Sequence, residues 1–183
     1  MKNPARIEEV LKFWFDDLSP DDWFESDEAV DSHIRERFQE LHEALREQVP
    51  EIWLSSARGC LAAVIVLDQF SRNMYRGTSR AFAADGAALS LAKEALMRGF
   101  DRELSIDERK FLYLPFEHSE NPAEQARSMQ LFSTLESELD LDYARRHKEI
   151  IDRFGRFPHR NAVLGRISTP EEIEFIKEPG SSF

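Results

Sequence analysis

Residues 57–71, ARGCLAAVIVLDQFS, are apolar around most of a helical circumference, and this stretch constrains the fold more than any other. A segment of that kind must be covered on nearly every side. The run VIVL would also suit a buried strand, but no segment of alternating polarity offers it a partner, so a central helix is expected. The covering helices are readable as stripes. Ile7, Val10, Leu11 and Trp14 share one face after Asn3-Pro4, a capping residue followed by proline at the first helical position. Val30, Ile34, Phe38, Leu41 and Leu45 recur at three- and four-residue steps over 27–48, with Ser26 as the expected cap and Pro50 closing the segment.

Further helices follow from capping signals. The alanine-rich stretch 80–99 reads as one helix stopped at Gly99. Ser105 and Glu108 form a capping-box pattern opening a helix through about Leu114. Asn121-Pro122 opens another to about Leu139, Asp140 caps one ending at Gly155, and Thr169-Pro170-Glu171-Glu172 begins a last short one. The expected class is therefore all-α, an antiparallel helix-pair array, either one domain over 1–183 or an N-terminal lobe 1–76 beside a C-terminal lobe 77–183. Small residues in 81–99 and 144–165 give faint TPR-like features without a strict repeat.

Charge narrows the partners. A net charge of −11 argues against nucleic acid and anionic membranes, both of which need a basic footprint. No apolar run approaches the ~20 residues of a membrane span. The first residues, MKNPARIEEVLKFWF, are interrupted by Glu8 and Glu9 and do not read as a secretory signal. The single cysteine, Cys60, lies in the apolar helix and is expected to be a buried core residue, in keeping with a reducing, cytoplasmic setting. Trp14, Trp23 and Trp53 are expected in the core, and His33 and His42 on the solvated side of 27–48.

Within this acidic chain, 145–166 is a basic island: Arg145, Arg146, Lys148, Arg153, Arg156, Arg160 and Arg166 against only Glu149 and Asp152. Its densest part is FGRFPHRN, 154–161. If Gly155 ends one helix and Pro158 starts the next, then Arg156, His159, Arg160 and Asn161 gather at a helix N-terminus, which favours anions. The alternative is that Arg156 and Arg160 pair with nearby acids and His159 only packs or caps.

Two other stretches concentrate hydrogen-bonding groups. LDQFSRNMYRG places Asp68, Gln69, Arg72, Asn73 and Arg76 at the end of the buried helix, where Arg72 can pair with Asp68 one turn back. They are either a helix terminus trimmed with cations or a ligand-facing network. YLPFEHSEN places Glu117, His118, Ser119 and Glu120 at a helix junction, where a histidine among carboxylates suits acid–base work. It has neither the HExxH nor the CxxC spacing of a metal site, so no metal and no cofactor is expected, and Ser119 lacks the glycines of a nucleophile elbow.

Taken together, LKFWF, LDQFSRN, RAFAADGAAL, LPFEHSE and FGRFPHRNAVLGR, in this order over nearly the whole chain, resemble the blocks of a bacterial family of unknown function with a TPR-like helical fold. The resemblance implies helices in a TPR-like superhelix with a concave binding face, and no particular activity. Ser71 stands where the resemblance leads one to expect proline, in DQFPRN, and should loosen that turn slightly.

The leading functional expectation is a small binding protein. Asp68, Gln69, Arg72, Asn73, His118, Glu120, His159, Arg160 and Asn161 would meet in one pocket, with Arg156 nearby, to take a small anion or an acidic peptide terminus. The alternative is a hydrolase or lyase in which His118 or His159 acts as acid or base, Glu120 orients the histidine, and Arg72 and Arg160 stabilise negative charge. A third reading is a protein-binding scaffold whose polar blocks only lock helix junctions. The oligomeric state is left open.

Overall fold

The structure, a computed structural model, describes residues 4–23 and 26–181. Every regular element among them is helical and none is a strand. The chain gathers into two compact units. The first runs to Arg76 and resumes from Arg80 to Pro115; the second starts at Phe116 and takes in Gly77–Ser79.

In the first unit, α1 (Pro4–Lys12) continues into a π turn at Phe13–Asp17 and is followed by α2 (Glu28–Glu47), α3 (Glu51–Leu54), α4 (Ala57–Met74), α5 (Asp85–Met97) and α6 (Ile106–Glu117), whose last two residues belong to the second unit. The apolar helix foreseen at 57–71 is α4, and α1, α2, α3 and α5 all pack against it. Of its residues only Arg58 and Arg72 escape burial. Rings fill the space around it. Phe70 lies 4.8 Å from Phe38 and 5.6 Å from Trp14, and Trp14 meets Phe111 edge-on at 5.4 Å, the offset and tilted geometry that aromatic quadrupoles prefer. Trp14, Trp53 and Cys60 are fully buried as expected, whereas Trp23 is half-buried and donates its indole N–H to the Trp14 carbonyl at 2.7 Å.

Contact between α3 and α4 depends on Gly59. A Cβ there would lie 2.2 Å from the main-chain oxygen of Trp53, a distance that only a backbone shift relieves. Gly59→Ala should therefore cost about 1–3 kcal/mol by overpacking, despite alanine's better helix propensity. The urea midpoint of the variant measures the loss.

The second unit holds α7 (Pro122–Phe132), α8 (Glu138–Phe154), a 3-10 turn at Pro158–Arg160, and α9 (Pro170–Phe175). Helices α7 and α8 pack together, and Ile150, Ile151 and Phe157 form a small core flanked by Phe154 and Phe175. Gly155 closes α8 at φ 68°, the left-handed conformation that glycine adopts without strain.

Several boundaries differ from expectation. The capping boxes at Ser105/Glu108 and Thr169/Glu172 are both formed. The cap of α2 is Asp27 rather than Ser26, its carboxylate accepting the Ala29 N–H at 2.7 Å. The cap of α8 is Ser137 rather than Asp140. Helix α7 ends at Phe132, short of Leu139, because the chain turns through 133–136 with Glu136 at φ 56°. The stretch 80–99 divides into a 3-10 turn, Ser79–Phe82, and α5. Helix α6 runs through Pro115 to Glu117, since burial of Phe111, Leu112 and Phe116 outweighs the one hydrogen bond that proline removes. The Asn3 cap lies outside the described residues.

Candidate functional site

The polar end of α4 is a closed network. Asp68 is fully buried, and the Arg72 guanidinium lies 3.2 Å from its Oδ1 and 3.0 Å from Asp85 Oδ1. Arg72 also donates to the Asp68 main-chain oxygen at 2.9 Å and packs over the Phe82 ring. Gln69 donates its amide to Asp68. Asn73 donates to Asp31 Oδ1 at 2.8 Å, and Arg76 grips both oxygens of the same carboxylate at 2.8 and 3.0 Å. Each of Asp68, Gln69, Arg72 and Asn73 is thus engaged with a partner inside the first unit. Ser71 continues the helix rather than loosening a turn: its hydroxyl donates to the Leu67 carbonyl at 2.7 Å, leaving its oxygen to accept the Nε2–H of His42 at 2.6 Å. His42, expected in solvent, is buried, and desolvation pushes its pKa down to about 4.

The remaining expected site residues lie in the second unit. There the basic island is largely neutralised. Arg145 and Arg146 pair with Asp142, Lys148 with Asp152, and Arg153 with Glu171. Arg156 holds Glu172 through two contacts of 2.6 and 2.8 Å and donates to the Ile167 carbonyl. Glu120, expected to orient a histidine, instead takes Arg166 in a bidentate grip at 2.7 and 2.9 Å and accepts the Phe157 N–H. Asn161 is buried and donates to Ser168 at 3.0 Å. Residues 158–160 form a single 3-10 turn rather than the start of a longer helix, so the expected helix-terminus contribution to anion binding falls away.

Around Phe157 a different group converges. The rings of His147 and His159 lie 5.6 and 5.7 Å from its centroid, and the Arg160 guanidinium lies 4.5 Å above it. His118 brings its ring to 6.2 Å from that of His147. His147 and Arg160 are buried, while His118 and His159 are half-buried. On α8, His147 Nδ1 stands 2.9 Å from the Tyr143 carbonyl and 3.2 Å from Glu117 Oε1, itself buried. A ring nitrogen facing a carbonyl must carry the proton, which makes Nε2 the acceptor of the neutral ring. Desolvation, reinforced by His118, Arg160 and His159, lowers the His147 pKa to about 3, so the neutral ring dominates at pH 7.

The two described clefts lie elsewhere. One of about 560 Å³ is lined by Ile7, Ile52 and Arg58 among others, and one of about 390 Å³ by Ile150, Phe154 and Phe175; no expected site residue lines either. Among the described residues, no group of three His, Cys, Asp or Glu side chains is placed to hold a metal ion, and no helix is long and apolar enough to cross a membrane.

The model of DUF924, a bacterial protein family of unknown function, matches residues 10–180. The chain belongs to that family. A solved structure of a protein of unknown function from Agrobacterium tumefaciens is 42% identical, with a TM-score of 0.90 over 94% of this chain and 97% of that one. No curated protein matches the chain.

In this DUF924 protein, the residues to which sequence reasoning gave no site role are Glu117 and His147 at the cluster, and Glu172 and Arg166 as partners of Arg156 and Glu120. For His147 a signal existed. It follows Ala144 by three residues and precedes Ile151 by four, on the apolar stripe of α8. For the ion pairs no local signal existed. Arg156 and Glu172 lock α9 in place: the guanidinium holds the Glu172 carboxyl down at about 2, so this contribution is full above the ordinary value of 4.5 and is lost as pH falls through about 2. Arg156→Met should lower the melting temperature at pH 7 and raise amide exchange through 169–175, with the deficit vanishing in strong acid.

Proposed function

We propose that the second unit is a binding site for a small anion, a carboxylate or phosphate group of a metabolite or an acidic peptide terminus, in a cytoplasmic protein. The observation that carries this reading is the gathering of His147, His159 and Arg160 around the buried Phe157 ring, with His118 beside His147. Groups that repel one another's protons at close range are stabilised together by an incoming anion. His118 and His159 are half-buried, and buried Arg160 adds a permanent charge to the same cluster. The expected contributions of Arg156 and Glu120 are structural in this reading, because each is committed to an ion pair.

A second reading has its own support. The contacts of His147 Nδ1 with Tyr143 and Glu117 fix its tautomer and orientation, the arrangement in which a carboxylate steadies a general base. A hydrolase or lyase using His147 Nε2, with Arg160 stabilising negative charge, follows from the same cluster.

A thermal-shift and calorimetric titration with inorganic phosphate, small carboxylates and phosphorylated metabolites tests the first reading. At a hundred times Kd a ligand adds about 2.7 kcal/mol of stability. The expected result is a raised melting temperature, strengthening as pH falls because protonated histidines hold the anion better, and an upward move of the His147 titration. Arg160→Lys, which keeps the charge but loses the planar fork, should weaken binding with the fold retained. No anion shifting either the melting temperature or the histidine titration would overturn the reading and favour the scaffold.

A further inference from the structure

Two oxygens on α7, Gln125 Oε1 and Ser128 Oγ, are fully buried and make no hydrogen bond among the described residues. They belong to residues three apart, at the polar end of the buried stripe that continues through Leu131 and Phe132. The other end of the Gln125 amide is committed: Nε2 donates to the main-chain oxygens of Glu117 at 2.6 Å and Ser119 at 2.7 Å. Those two carbonyls flank His118, so the amide sits against the junction that supplies the histidine cluster. It cannot turn over, since a flip would set Oε1 against two carbonyl oxygens. Oε1 is therefore an acceptor held in one orientation, on an amide anchored to the carbonyls either side of His118. Ser128, able to donate and to accept, stands one turn along the same face. Buried amide and hydroxyl oxygens in folded proteins are nearly always served by a donor.

We infer that Gln125 is a specificity-determining residue of the anion site, its Oε1 accepting a hydrogen bond from a hydroxyl or N–H group carried by the ligand, with Ser128 assisting. The inference rests on the anion reading and deepens it. The ligand is then a hydroxylated or amino-bearing anion, such as a hydroxy acid, an amino acid or a hydroxyl-bearing phosphate ester. Bare carboxylates of the same size bind less well, because they desolvate the Gln125 oxygen without serving it.

The test compares lactate with propionate, which have the same carbon skeleton and charge but differ in the hydroxyl, by calorimetric titration of the full chain. Wild type should bind lactate tenfold or more tighter. Gln125→Met should bring the two within about twofold, since an apolar side chain cannot tell them apart. Because that variant also uncaps the Glu117 and Ser119 carbonyls, Ser128→Ala serves as a second one: it should fold at least as stably as wild type while reducing the preference. Equal affinity for both acids in wild type would overturn the inference and mean that the Gln125 oxygen is served by water, with the anion reading intact. Binding of neither acid, nor of phosphate, would overturn both.

Discussion

Arg72→Ala should cost about 3–5 kcal/mol of folding stability, read as a fall in the urea midpoint. Asp68 has no exposure at all, and its charge is held by the guanidinium 3.2 Å away. Removing that group strands a buried carboxylate and also takes a partner from Asp85 and a hydrogen bond from the Asp68 main-chain oxygen. Pairing the change with Asp68→Asn should recover part of the loss, because a neutral amide tolerates burial better than an unpaired charge. A single variant within about 1 kcal/mol of wild type would show that the network is not structural, and would return these α4 residues to candidacy as ligand contacts.

Acid should unfold this protein earlier than its carboxylates alone would allow. The pKa of His147 is lowered to about 3 and that of His42 to about 4, both from 6.5 and both chiefly by burial. Below pH 6.5 the unfolded chain takes up protons at these positions that the folded chain refuses. Stability is therefore full above that pH and falls as the solution is acidified, on the order of 5 kcal/mol for the two together by about pH 4. His42→Gln, which can still donate to Ser71, and His147→Asn, which can still donate to the Tyr143 carbonyl, should each flatten the profile. Chemical denaturation at pH 7 and near pH 4.5 gives the slope, and equal stability at both would sink the prediction. An anion bound at the His118/His147 cluster should work against this loss, which ties the stability measurement to the functional one.

Much of the secondary structure was legible because it follows from interactions within about four residues. The circumferential apolarity of 57–71 leaves a central helix as the economical solution. Ser105 with Glu108 and Thr169 with Glu172 satisfy each other's backbone groups whatever the rest of the chain does. His42 and His147 could have been placed by the same logic, since each lies on an apolar stripe: His42 follows Phe38 by four residues and precedes Leu45 by three. Histidine's polarity drew His42 to the wrong side of that reading, and His147 was given no place in it.

What the sequence by itself determined is the all-helical class, the central position of α4, and the three junctions where polar groups concentrate. Only the tertiary structure decided what those polar groups do. The partner of Arg76 lies 45 residues away, that of Arg166 46 and that of Arg156 16, distances over which no periodicity or capping rule operates. Which carboxylate meets which guanidinium depends on how helices dock, and docking is governed by the burial of Trp14, Phe70, Ile151 and Phe157 rather than by the charges themselves. In FGRFPHRN, packing sent Arg156 to a structural ion pair and Arg160 onto the Phe157 ring, beside a histidine that burial keeps neutral.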